Sequence, residues 1–152
     1  MPQLTTAHDA LRHVLVTLSD RFEHALDGAP AGFAEFDAGA GVRPPLELVH
    51  HLGHLMRFAA ALWVGQEVQP VEPRPWADEL DAFRRELRAL DATLRRWPTP
   101  TGPTPAHRVL QGPLLDAVTH VGQLATLRRL AGAPVGRRRY VLVEMAELDA
   151  DG

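Results

Sequence analysis

Residues 110–135, LQGPLLDAVTHVGQLATLRRLAGAPV, decide the fold. They predict one long amphipathic helix, opened by Gly112-Pro113 and closed by Gly132-Ala133-Pro134. Leu114, Ala117, Val118, Val121, Leu124 and Ala125 recur at helical spacing and supply its buried face. Asp116, His120 and Leu127 run along one flank of that face. Asp116 and His120 are four residues apart, which stacks their side chains on one side of a helix. A carboxylate and an imidazole placed that way can share one metal ion or one proton.

Working outward, the stretch LELVHHLGHLMRFAAALWVGQE after Pro44-Pro45 predicts a second helix. Proline in a first turn costs little because that N–H has no partner there. Leu48, Leu52, Leu55, Ala59 and Leu62 form its apolar stripe. At about 100° per residue, His51 falls at the edge of the stripe. His54 falls toward the polar side and His50 nearly opposite. Metal sites in helix bundles use positions that project inward from facing helices. His51 is therefore the preferred third ligand, His54 a substitute or supplement, and His50 the least suited. Spacing alone also allows all three to be surface or boundary residues.

Two further helices complete the pattern. AHDALRHVLVTLSDRFEHAL, capped by Thr5-Thr6, carries an apolar stripe of Leu11, Val14, Leu15, Leu18, Phe22 and Leu26. Asp27-Gly28-Ala29-Pro30 stops it. His8, His13 and His24 share no ligand-like spacing and are expected to face solvent. WADELDAFRRELRALDATLRRW, ended by Pro98, packs through Leu80, Phe83, Leu87, Leu90 and Leu94. Its acids come early and its arginines late, which suits the helix dipole. Asp81, Arg85, Glu86 and Arg88 read as a solvated charged face. Residues 31–43 form a Gly/Ala-rich loop whose Phe33 and Phe36 either cover a site or pack over the end of a bundle. Residues 66–75 and 98–105 are Pro-rich connectors. Residues 137–152 predict a short helix or an extended tail. Its Arg137, Arg138 and Arg139 read as a solvated flank, with anion binding as the other reading.

Composition sets the class. A chain of 152 residues predicts one domain, residues 1–152, able to bury a core without staples. With 45% apolar and 23% charged residues it is globular rather than disordered. The absence of cysteine removes disulfides, thiolate metal sites and cysteine nucleophiles. A net charge of −3 argues against nucleic acid as a partner. No apolar run approaches membrane-span length, and MPQLTTAHDALRH lacks the order of a signal peptide. The expectation is a cytoplasmic, all-α four-helix bundle with the second and fourth helices facing each other across the site. Every basic residue other than histidine is arginine, and Lys, Ile and Asn are absent, as codon bias in a GC-rich genome would give. An arginine cluster here thus says nothing of a choice against lysine.

Two imidazoles and a carboxylate leave coordination positions open on a divalent ion. Such an ion can lower the pKa of a coordinated water or orient a thiolate. It would also make the near-burial expected for Asp116 and His120 tolerable. The other reading of the spacing is a helix-stabilising Asp116–His120 pair in a non-catalytic binding or interaction protein.

His120 to Pro134, HVGQLATLRRLAGAP, resembles the last helix of the DinB/YfiT-like family of metalloenzymes. His51, Leu52, Arg57, Phe58 and Gly65 resemble that family's second-helix pattern. The resemblance implies a four-helix bundle in an up-down-down-up arrangement, a homodimer, and a divalent metal (Zn, Ni, Fe or Mn) held by three side chains. Carried onto this chain the ligands are His51, Asp116 and His120. Asp116 departs from the family, where histidine is commoner, and the set becomes two histidines and one carboxylate. The resemblance further implies a small-molecule substrate and a low-molecular-weight thiol cofactor, in an S-transferase or isomerase. Hydrolysis through an activated water is the second enzymatic expectation. Gln123 and Arg128 belong to the matching segment. They read as structural, Gln123 as a cap or bridge and Arg128 as a stabiliser of the helix C-terminus.

Overall fold

The computed structural model describes residues 4–148, and they form an all-α bundle with no strand among them. Helix α1 spans Ala7–Leu26, α2 Pro45–Val64 and α3 Trp76–Arg96. The fourth arm is built in pieces. A short α4, Ala106–Val109, runs into a wide, kinked turn, Leu110–Leu114, and then into α5, Leu115–Leu130. Among the described residues no helix is long and apolar enough to cross a membrane.

Local chemistry fixes the ends. Thr6 caps α1 in a reciprocal box. Its Oγ1 accepts from the Asp9 N–H at 3.0 Å, and Asp9 Oδ2 accepts from the Thr6 N–H at 2.9 Å. The Thr5 hydroxyl, which donates to the same Oδ2 at 2.9 Å, and then Thr6 favour the ionised carboxylate and hold Asp9 down at about 2. α2 ends at Gly65, whose φ of 72° is the left-handed conformation that suits glycine. Trp63 C=O then accepts from Thr101 and Gly102 N–H, both at 2.9 Å. A Cβ on Gly102 would collide with the Gly65 backbone and the Leu62 carbonyl, so the 97–105 connector crosses α2 in direct backbone contact.

The core lies between the four arms. Leu15, Leu18 and Phe22 meet Leu48, Leu52, Met56 and Trp63, with Phe83, Leu87 and Leu90 from α3 and Leu114 and Leu124 from the fourth arm. Each such side chain contributes about 1.5–3 kcal/mol on burial. That outweighs any exposed ion pair, worth about 0–1 kcal/mol. The interhelical pairs instead report direction. Arg12 meets Asp91 at 2.8 Å and Arg84 meets Glu23 at 2.7 Å, so α1 and α3 run in opposite senses. His50 meets Glu79 at 2.8 Å and Arg57 lies 3.7 Å from Glu86, so α2 and α3 run in the same sense.

Several expectations are corrected. The fourth helix does not open at Gly112-Pro113. It begins at Ala106 and kinks there, with Gly112 at φ −88°, ψ −106°. Pro113 lacks an N–H, and the wide turn absorbs the missing bond. Leu127 and Arg128 are buried, whereas Val118, Ala125 and Leu62 are half-buried. α2 stops at Val64, before Gly65-Gln66-Glu67.

His8, His13 and His24 are half-buried rather than solvent-facing. His8 Nε2 lies 2.9 Å from Leu94 O, and His24 Nε2 lies 2.9 Å from Gly136 O. On the charged face of α3, Asp81 and Arg85 are exposed as expected, whereas Glu86 and Arg88 are half-buried. Glu79 and Asp91 are buried, Glu79 against His50 and Asp91 between Arg12 and Arg95. Phe33 is buried in a short 3₁₀ turn, Phe33–Glu35, and packs edge-on to Trp76. Past α5 the described chain is irregular but for a turn at Ala131-Gly132 and one 3₁₀ turn, Tyr140–Leu142. Arg138 is half-buried there and pairs with Asp20 at 2.8 Å, while Arg137 and Arg139 are exposed. Residues 149–152, the end of that predicted tail, lie outside the described residues.

Candidate metal centre

His51 projects from α2 into the space facing α5, as its place at the edge of the apolar stripe predicts. The kink at Gly112 ends one turn before Asp116, so the first turn of α5 carries Asp116 and the second carries His120. The three side chains each offer a ligand atom within 4.8 Å of the others. Asp116 bridges the two imidazoles. Its Oδ2 is 3.4 Å from His51 Nε2 and its Oδ1 is 3.3 Å from His120 Nε2. The His51 and His120 rings sit edge to face, with centroids 4.8 Å apart.

Each imidazole nitrogen stands at the separation of two ligands on one ion, though from a different Asp116 oxygen, and the group, spanning 4.8 Å, would have to draw in slightly to share an ion. Ligand atoms at about 2.0–2.2 Å from a tetrahedral centre are about 3.3–3.5 Å from one another. A charge-assisted hydrogen bond between imidazole and carboxylate would instead draw them to about 2.7–2.9 Å. The tautomer points the same way. His120 Nδ1 is 2.8 Å from Gln123 Oε1. A carbonyl oxygen only accepts, so the Nδ1–H tautomer is the one that makes this hydrogen bond, and it would leave the Nε2 lone pair for a ligand. In neutral His120 that lone pair faces a carboxylate oxygen, and a cation between them removes the repulsion. A histidine ligand whose second nitrogen donates to an oxygen is the usual metal-site arrangement.

Burial grades across the group. His120 is buried, His51 is half-buried and Asp116 is exposed. The expected near-burial of Asp116 is therefore corrected, and the open side of the group is the carboxylate side. Burial pushes the His51 pKa down. The hydrogen bond to Asp116 opposes this, and His120 and Arg43 add to it. The result favours the neutral imidazole, the form that ligates.

His54 does not join the group. It stacks between His51 and Phe58, with ring centroids 6.1 Å from each. Burial, then Arg57 and His50, lower its pKa. His50 is turned away onto buried Glu79, whose Oε1 also accepts from Arg74 N–H at 2.7 Å.

Gln123, read as a cap or interhelical bridge, instead holds His120 on the same helix. Its i,i+3 spacing from His120 was the signal available for that role. Arg128 is buried and holds four backbone carbonyls. Its Nε donates to Ala133 O at 2.9 Å. Its two terminal nitrogens donate to Ala25 O at 2.9 Å, Asp27 O at 2.8 Å and Gly28 O at 3.1 Å. It stabilises the C-terminus of α5, as expected, and that of α1 as well. Compared with known family models, curated proteins and solved structures, the chain matches none of them.

Proposed function

We propose that the protein is a divalent-metal-dependent enzyme of the DinB/YfiT-like type, with His51, Asp116 and His120 as the three ligands. The observation that carries this reading is the convergence of the three ligand atoms within 4.8 Å, from two helices that are far apart in sequence. Helix directions support the family arrangement. α1 opposes α3 and α3 runs with α2. The 97–105 connector then crosses the end of α2 at Trp63, and the fourth arm runs back past His51, an up-down-down-up course. The ion, Zn, Ni, Fe or Mn, would supply Lewis acidity that lowers the pKa of a thiol or water in an open position. His51 and His120 ligate as neutral imidazoles. Gln123 fixes the His120 ring. Asp116 lowers the net charge of the centre and keeps its exposed side toward substrate. The reaction class that follows from the resemblance is transfer or isomerisation through a low-molecular-weight thiol, carried out by a homodimer on a small electrophilic substrate. Hydrolysis by activated water uses the same centre.

The experiment is metal analysis of untagged protein. Near-stoichiometric divalent ion is expected, lost in both Asp116→Ala and His120→Ala. Protein that stays metal-free after supplementation at neutral pH overturns the reading. It would favour the other one, a non-catalytic helical interaction protein in which Asp116 merely bridges two histidines.

A further inference from the structure

The outer face of α2 and the connector that follows it enclose a cleft of about 600 Å³. It is lined by Arg43, Leu46, His51, Arg57, Val71 and Pro73, among others. Its volume lies within the about 300–1,000 Å³ of small-molecule sites. His51 belongs both to this cleft and to the candidate metal centre, so the two spaces adjoin.

The charge of the lining is one-sided. Arg43 and Arg57 face a single carboxylate, Glu47. Arg43 is exposed, and no carboxylate lies within salt-bridge distance of it among the described residues. Arg57 is held only loosely. Glu86 is 3.7 Å from its NH1, beyond hydrogen-bond range, and its Nε is buried with no partner. A guanidinium offers five donors, and most of these are unused in both residues. Arg43 precedes α2, whereas Arg57 lies about 9 Å beyond His51 along its axis at about 1.5 Å per residue. Arg43 and Arg57 thus lie on opposite sides of His51 along the chain, and all three line the one cleft. Leu46, Val71 and Pro73 give the apolar wall that a carbon skeleton requires.

We infer that this cleft is the substrate site and that it takes a small organic anion, attracted by the positive charge of Arg43 and Arg57. The inference rests on the proposed metal centre for the identity of the reacting end. Binding of the anion itself can be tested separately. Succinate is titrated into isotope-labelled protein, zinc-loaded and zinc-stripped, and followed by NMR chemical shifts. The uncharged succinamide is the control. Succinate should bind both forms and shift signals of the cleft, and succinamide should not. Arg43→Gln, in an exposed loop where folding is not at issue, should weaken succinate about tenfold. Arg57→Gln should do the same, and Glu47→Gln should strengthen it.

Succinate that binds only the zinc-loaded form, unaffected by either arginine substitution, overturns the inference, because the ion alone then holds the carboxylate. So does the absence of succinate binding to either form. Protein that takes up no zinc yet binds succinate in an arginine-dependent way supports the cleft while removing the metal centre. Protein that binds zinc normally but never succinate does the reverse.

Discussion

Gln123 holds His120 Nδ1 and leaves Nε2 turned toward Asp116. Replacing it with leucine keeps the volume and removes the acceptor. Gln123→Leu should weaken zinc binding about 10- to 100-fold, as loss of a ligand's supporting hydrogen bond usually does. Competition against a chelating dye measures this, and an unchanged affinity would remove Gln123 from the site. Arg128 acts through carbonyls alone. Arg128→Met leaves four of them without their donor at two helix C-termini. It should cost about 2–4 kcal/mol, since charged hydrogen bonds are worth about 1.5–3 kcal/mol and orphaned groups carry a further penalty. Urea denaturation reads this directly. His51 is legible in the sequence because its position follows from the periodicity of its own helix. Glu79 and Asp91 are not, because their burial depends on His50 of α2 and Arg12 of α1, side chains that sequence spacing does not bring together. The exposure of Asp116 is hidden for the same reason, being set by how α5 leans on α2.

Each helix start and stop follows its own local chemistry. The box at Thr6 and Asp9 needs only four residues, and the sequence announces it. The Asp9 carboxyl sits at about 2 in the folded chain against 3.8 ordinarily. A lowered carboxyl pKa adds stability above about pH 4, and that contribution disappears as pH falls through about 2. Asp9→Asn should therefore lower the melting temperature near pH 7, and the two proteins should converge near pH 2. Parallel melting curves that stay apart at the acid end would place the effect elsewhere. The crossing of Gly102 over Gly65 has no such local sign, because the two glycines are 37 positions apart. Gly102→Ala forces that backbone contact open and should cost about 1–3 kcal/mol, the usual cost of overpacking.

The bundle itself is legible from four apolar stripes joined by connectors that carry no stripe of their own. The order in which the arms pack is not, because each stripe shows only that a helix has a buried face and not which helix covers it. The proposed centre joins α2 to α5, elements separated by α3 and two connectors. An ion there stabilises the folded chain alone. At about 100 times its dissociation constant it should add about 2.7 kcal/mol, or about 5–10 °C in melting temperature for a chain of this size. Calorimetry with and without zinc tests this. His120→Ala should show no shift, and an equal shift in that variant would place the ion elsewhere.

The wide turn at Leu110–Leu114 lets two frames share one arm. Val109 and Leu114 are both buried although five residues separate them. In an unbroken α-helix five residues turn the chain by about 140° from its starting face, so one of the two would leave the core. The extra residue is in effect an insertion retained by the fold. Deleting Gln111, which is exposed, would rewind the arm into a continuous helix and set the frame of α4 against that of α5. Because α5 carries more of the packing, the four residues of α4 would be the ones to yield, and the connector that crosses Gly65 would move with them. The register of Asp116 and His120 is thus insulated from the end of the bundle where the chain enters the arm.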